Sequence, residues 1–331
     1  MTKLKIRNMK KVVLSLVLMI AAVTVSAQQI AVVSSNGTTT MCQTLGDAIS
    51  KASSNSVIYL PAGGFQISDD VKITRKVTII GVTHKANSDN AEGNTIISGN
   101  LYFNEGSSNS AVMGCYISGS VYIGYDNTEV NGILVKYCNL NGVHVYSNKC
   151  SKTKVNQNYI RNGSNFNGAE GTFTNNIMHS VYNMIGGVIS YNILTDRYYS
   201  GGRNATLYVV YNATISNNVF LDASYIHYGY DCQISQNLAY NTAWEDDGIN
   251  LGLETWDGVF KNNAGITPVS DYTFVGNYAE YNSKAGIYSG GTGFSDGCMP
   301  PVPYVSVKRI DEQTDAAGKL NVTLRVKSVS E

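Results

Sequence analysis

Val155-Asn-Gln-Asn158-Tyr-Ile160 is followed by Phe173-Thr-Asn-Asn176-Ile177, then Ile189-Ser-Tyr-Asn192-Ile-Leu194 and Ile215-Ser-Asn-Asn218-Val-Phe220. Each is an apolar residue, two variable residues, an Asn and an apolar or aromatic pair. The same word returns as Ile234-Ser-Gln-Asn237-Leu238, Phe260-Lys-Asn-Asn263 and Phe274-Val-Gly-Asn277-Tyr278. Two earlier copies, Val112-Met-Gly-Cys115 and Val135-Lys-Tyr-Cys138, put Cys where the others have Asn. From Cys115 to Asn277 the steps are 23, 20, 18, 16, 26, 19, 26 and 14 residues. Most lie near 20, and the last is short for a full unit.

A period near 20 with short Val, Ile, Tyr and Thr runs split by Gly, Asn and Ser predicts a solenoid of strands and turns. One unit cannot bury its apolar face alone; stacking units pairs every strand with the coil above and below. An Asn recurring at one turn can then bond its amide to the same amide one coil away. An antiparallel sandwich would also show short strands, but it would not repeat an Asn word at this period. The words Asn131-Gly-Ile, Asn141-Gly-Val, Asp247-Gly-Ile and Ala285-Gly-Ile read as turns entering strands. The fold class expected is therefore all-β, a single-stranded right-handed parallel β-helix spanning residues 28–298.

Its ends are also marked. Residues 44–52 show Leu45, Ala48 and Ile49 on one side of a short amphipathic helix. Such a helix covers the open edge of a first coil. Pro300, Pro301 and Pro303 break the repeat. Residues 299–331, with alternating Leu320, Val322, Leu324 and Val326, read as a tail or small β cap.

Lys3, Lys5, Arg7, Lys10 and Lys11 precede an apolar run over residues 12–25, and Val25-Ser26-Ala27 offers a cleavage point. This is the layout of a secretory signal peptide, residues 1–27. A membrane anchor is the other reading, although the run is short of the roughly 20 residues a span needs. The full chain carries 24 basic and 24 acidic residues. Without the five basic residues of the leader, 19 remain against 24, a mildly acidic balance. That excludes a typical nucleic-acid binder, and no later segment is apolar enough for membrane insertion. An exported location (extracellular, cell-surface or periplasmic) is expected. The six cysteines are scattered and are expected mostly as buried free thiols. Oligomeric state is not legible.

The cap helix, the strand ending in Leu60-Pro-Ala-Gly-Gly64, the Ile79-Ile-Gly81 step and the Asn-bearing coils resemble the pectate-lyase-like (pectin lyase fold) superfamily over roughly residues 40–297. The stretch from Gly286 to Thr323 resembles the close of secreted β-helix proteins of gut-type Gram-negative bacteria. The resemblance implies a polysaccharide or glycan partner. It spans lyases, hydrolases, esterases, epimerases and non-enzymatic binders or adhesins. Polygalacturonase-type hydrolases carry an Asp-Asp pair, a Gly-His-Gly and an Arg-Ile-Lys. Here Asp246-Asp247 is present and the other two are absent, as are pectin-esterase signatures.

Four residues past each slot stand Asn162, Ser180, Asp196, Asp222, Asn241, Thr267 and Tyr281, a polar column. Asp196 and Asp222 would be one coil apart, close enough to share a cation or raise one another's pKa. With Arg197 they form a candidate lyase set, with Ca²⁺ as the candidate cofactor: the cation held by the acidic ligands neutralises a uronate, and a base takes its C5 proton. The plain alternative is a row of solvated turn residues.

A second cluster is Trp244, Glu245, Asp246, Asp247, Glu254 and Asp257, next to Trp256. Carboxylates beside aromatic platforms suit a sugar site. The alternative is that Asp247-Gly248 is a turn and the indoles cover a loop. Tyr198 and Tyr228 belong to a tyrosine cluster around the Asp196–Asp222 coils and are candidate sugar contacts, or stacking between coils. The four histidines read as structural, with His144 facing away from Val143 and Val145. Three readings therefore stand: a carbohydrate-recognising protein, with lyase or hydrolase action as its enzymatic form, a non-enzymatic surface or adhesion β-helix, and a structural module with no small ligand.

Overall fold

The computed structural model describes residues 29–85, 93–195, 198–200, 203–221, 227–228, 231–240, 251–253, 255–262, 271–291, 293–294, 300, 304–310 and 322–327. The chain is a parallel β-helix. Its strands form three long sheets of 11, 10 and 8 strands, and a complete coil contributes one strand to each. The coil through Asn158 is typical. Thr153–Asn156 lies in the first sheet, Tyr159–Ile160 in the second and Ser164–Asn165 in the third. Each pairs in parallel with its equivalents before and after, as when Val155 faces Val135 and Phe173.

The interior follows from this register. Three residues before each slot stand Val112, Val135, Val155, Phe173, Ile189 and Ile215, all fully buried. Two residues after the slot stand Ile117, Leu140, Ile160, Met178, Leu194 and Phe220, also fully buried. Stacking brings like onto like, so every coil seals the one beneath it. Each such side chain contributes on the order of 1.5–3 kcal/mol.

The Asn word forms the expected ladder. Asn176 Oδ1 accepts from the backbone N of Asn158 at 2.9 Å and from its Nδ2 at 3.0 Å. Asn176 Nδ2 donates to Val155 O at 2.8 Å and to Asn192 Oδ1 at 3.0 Å. Asn192, Asn218 and Asn237 continue the pattern. The residue before each slot is left-handed: Gly114, Tyr137, Gln157, Asn175, Tyr191, Asn217 and Gln236 have φ between +55° and +68°. A non-glycine residue there costs on the order of 1–2 kcal/mol. The ladder bonds hold the turn in that conformation.

Cysteine occupies the ladder by chemical mimicry. Cys138 Sγ donates to Val112 O at 3.7 Å and Lys136 O at 3.3 Å. These are the positions that Asn158 Nδ2 reaches one coil on, Val135 O and Asn156 O. Five cysteines are free; Cys298 lies outside the described residues. Burial pushes the Cys138 thiol up to about 12. Cys138 should therefore resist iodoacetamide in the native protein at pH 8 and react once the chain is unfolded in urea. Mass-mapped labelling checks this, and native labelling at the rate of a free thiol would refute it.

The first coil is closed as the physics of open sheets requires. The helix Leu45–Lys51 buries Leu45, Ala48 and Ile49, and Thr44 Oγ1 accepts from Asp47 N at its start. Ile30–Val33 and Thr39–Cys42 form an antiparallel hairpin that also pairs antiparallel with Ser56–Tyr59, ending the first sheet. At the other end two expectations need correction. Phe260–Asn262 and Asp271–Phe274 pair antiparallel with each other, so these two words build a hairpin and not two coils. Asn277 lies in the 3-10 helix Gly276–Ser283 and joins no ladder; Asn263 lies outside the described residues. The word alone is blind to this, because a hairpin and a stacked coil use the same apolar alternation.

Ala285-Gly-Ile287 does not enter a strand either. From Lys284 the chain runs back along the left-handed turns. Asn217 Nδ2 donates to Lys284 O, and Asn175 Nδ2 donates to Ile287 O and Ser289 O. Pro300 packs on Gly114, where a Cβ would sit 2.4 Å from its Cγ. Tyr304–Ile310 and Val322–Lys327 form a separate antiparallel hairpin.

Candidate functional site

In the third sheet the strands Val121–Ile123 and Val143–Val145 alternate. Val121, Ile123, Val143 and Val145 point into the core, which turns Tyr122 and His144 outward. The parallel register then sets the outward residues in one column. Tyr102, Tyr122 and His144 stand on successive coils, followed by Asn165, Tyr182 and Tyr208. Their spacing is that of neighbouring strands, about 4.8 Å, which suits ring stacking. Tyr102 and Tyr122 stack with centroids 5.0 Å apart and planes at 16°. Tyr122 and His144 stack at 5.3 Å and 26°.

Tyr125 and Tyr146 flank this column edge-on. Tyr125 lies 5.0 Å from Tyr102 and 4.9 Å from Tyr146. They are 40% and 43% exposed, unlike the stacked rings, so they offer contact surface to solvent. Lys72 Nζ caps the column, 3.7 Å above the Tyr102 centroid and 4.7 Å from that of Tyr125. Burial pushes the Tyr102 and Tyr146 hydroxyls up and His144 down to about 4. These rings are uncharged at neutral pH.

The column is interrupted once. At Asn165 an amide replaces a ring, and a groove of about 360 Å³ opens there. Tyr122, His144 and Tyr146 form one end, Asn165 and Asn167 the middle and Tyr182 the other end. Gly142 and Gly163 make room for the two end walls. A Cβ on Gly142 would lie 2.8 Å from His144 Nε2, and one on Gly163 would lie 2.8 Å from Tyr182 Cε1. Asn165 Oδ1 accepts from Asn167 N at 3.0 Å and Asn183 Nδ2 at 3.2 Å. Asn167 Nδ2 donates to Tyr146 O at 2.7 Å. The amides are thus held in place, while Asn165 Nδ2 has no partner among the described residues.

The residues singled out from the sequence lie elsewhere or beyond description. Asp196, Arg197, Asp222, Trp244, Glu245, Asp246, Asp247 and Glu254 lie outside the described residues. Tyr198 lies in the strand Tyr198–Ser200, in a two-stranded hairpin with Arg203–Ala205. Tyr228 lies in His227–Tyr228, which extends the third sheet beside Leu207–Tyr211. Asp257 sits exposed in a turn, its backbone N bonded to Thr255 Oγ1. Trp256 is half-buried: its Nε1 donates to Leu221 O and its ring stacks on Phe260 at 5.3 Å and 18°.

Of the polar column four residues past the slot, Asn162, Ser180 and Tyr281 are described, and Asn162 is exposed. Ser180 is 2% exposed, and Tyr281 rides on the 3-10 helix against Phe274. In the coils of Asn162 and Ser180 that offset falls at the bend between the second and third sheets. Among the described residues no three His, Cys, Asp or Glu side chains are grouped to hold a metal ion. No described helix is long and apolar enough to cross a membrane.

The Asn word does not mark the groove residues, because their offset from the slot drifts. Tyr122 and Asn165 stand seven residues past it, His144 and Tyr182 six. The usable signal was Val121-Tyr-Ile123 and Val143-His-Val145, single outward residues between buried ones. No protein-family model matches the chain, and neither does any of the curated proteins or solved structures compared with it.

Proposed function

We propose that this is an exported carbohydrate-binding β-helix of the pectate-lyase-like type, which holds glycan along the outer face of its third sheet. The observation that carries this reading is the column of stacked rings with Tyr125 and Tyr146 exposed beside it. Pyranose rings present C–H faces that pack on the negative faces of aromatic rings, and their hydroxyls bond to amides. The groove supplies both. It also runs along a solenoid, whose repeat suits a ligand that is itself a repeating chain.

Two exposed rings, each worth about 0.5–1.5 kcal/mol beyond the area they bury, set the scale of the effect. The double variant Tyr125→Ala/Tyr146→Ala should weaken polysaccharide binding at least tenfold while melting within a few degrees of the parent. Affinity electrophoresis through gels containing polysaccharide, with calorimetry on the same samples, measures both. Unchanged retardation of the double variant would remove the groove from the reading.

The described lining has no carboxylate, so any bond cleavage would be the task of Asp196, Asp222 and Arg197 or of residues 244–257. Incubation with uronate polymers, with and without Ca²⁺, followed by ultraviolet detection of unsaturated ends, tests the lyase form separately.

A further inference from the structure

We propose that the interruption at Asn165 is a subsite for one uncharged pyranose ring, held between His144 and Tyr182 with its hydroxyls on the amides of Asn165 and Asn167. This rests on the reading of the third sheet as a glycan-binding face and names the ligand class at its centre.

Geometry supplies the first argument. Tyr102, Tyr122 and His144 show that one ring per coil fills the column at about 5 Å spacing. Asn165 pairs with His144 on one side and with Tyr182 on the other. Two coil steps, roughly 9.6 Å, therefore separate the strand positions that carry the two walls. An amide is shorter than a phenol ring, so the column is open at this one coil, and the groove forms there. Its volume of about 360 Å³ lies at the small end for ligand sites and suits one or two sugar residues, not a long helix or a lipid.

Polarity supplies the second. Asn165 Oδ1 is engaged by Asn167 and Asn183, which fixes the amide and leaves Nδ2 as a donor. Tyr122, Tyr146 and Tyr182 add hydroxyls that can both donate and accept. This is the complement of a polyol: many weak donors and acceptors beside apolar faces.

Charge supplies the third. The seven lining residues are Tyr122, His144, Val145, Tyr146, Asn165, Asn167 and Tyr182, and none carries a formal charge at neutral pH. A uronate carboxylate placed there would be stripped of water without a cation to meet it, which is unfavourable. The one described cation on the column, Lys72, sits over Tyr102, three coils from Asn165. The subsite therefore selects neutral hexopyranose over uronate.

The discriminating variant fills the gap. Asn165→Tyr should complete the aromatic column, leave melting unchanged or raised, and abolish binding. Saturation-transfer NMR on the full-length protein at pH 7, with methyl glucoside, methyl galactoside, methyl mannoside and methyl galacturonate at tens of millimolar, reads this directly. The expected result is transfer to at least one neutral glycoside, at least tenfold weaker transfer to the galacturonate, and loss of the neutral signal in Asn165→Tyr. Asn165→Ala, which keeps the space and removes the amide, should weaken the signal without abolishing it. Equal or stronger galacturonate transfer, or a neutral signal that survives Asn165→Tyr, overturns this inference and leaves the glycan-binding face standing. Transfer from none of the four probes overturns both.

Discussion

Asn176→Ala is expected to lower the unfolding free energy by about 4 kcal/mol, the sum of one orphaned buried donor and several lost hydrogen bonds. Asn176 is fully buried in the middle of the ladder. Its Oδ1 is the partner of the Asn158 backbone N, which would be left buried without an acceptor. Asn158 Nδ2 keeps Val135 O and Asn156 O, so that amide is weakened and not stranded. Asn192 Oδ1 keeps the backbone N of residue 176, but loses the side-chain donor. Gln157 and Asn175 would also hold left-handed turns with less to fix them. Asn176→Cys should recover roughly 1 kcal/mol of the loss, because a thiol in this slot reaches the same carbonyl, as Cys138 does. Urea unfolding of the three proteins measures the order Asn, Cys, Ala. A loss below 1 kcal/mol for alanine would mean that the ladder is ornament and that strand pairing alone sets the turn.

The ladder also explains which parts of the molecule could be read in advance. The slot at 158, 176, 192, 218 and 237 has one chemical job, and only a side chain with both a donor and an acceptor performs it fully. Its identity therefore survives a step as long as the 26 residues from Asn192 to Asn218. The cap helix was legible for a similar reason: Leu45, Ala48 and Ile49 must face one way on any helix. The hairpin of Phe260–Asn262 and Asp271–Phe274 was not, since apolar alternation records which face is buried and not whether the partner strand runs parallel. The groove was not legible from a fixed offset because the turn between the second and third sheets varies by one residue from coil to coil. A one-residue shift in a strand exchanges its two faces. Tyr122 and His144 could be aligned only once Val121 and Val143 were known to pair. The carboxylates that drew attention in the sequence are chemically louder than a tyrosine, yet the described face is built of tyrosine and amide.

His144 makes the protein's stability depend on pH in a window set by that face. In the unfolded chain its imidazole takes a proton near 6.5, whereas burial in the column pushes it down to about 4. Tyr122 stacks on one side, Asn165 pairs on the other and no carboxylate among the described residues meets it. Between those two values the unfolded state binds more protons than the folded one, so stability falls as pH falls through the window. Above about 6.5 and below about 4 the contribution is constant. The full window is worth up to about 3 kcal/mol, at 1.36 kcal/mol per pKa unit. Other groups titrate over the same range, so the informative quantity is a difference. His144→Phe keeps a flat ring against Tyr122 and has nothing to titrate. The parent should lose about 2–3 kcal/mol more than this variant between pH 7 and pH 4, with the two curves parallel above pH 7. Urea unfolding at half-unit pH steps draws both curves. Parallel curves throughout would mean that water reaches the imidazole, and the wall of the groove at His144 would then be polar and open.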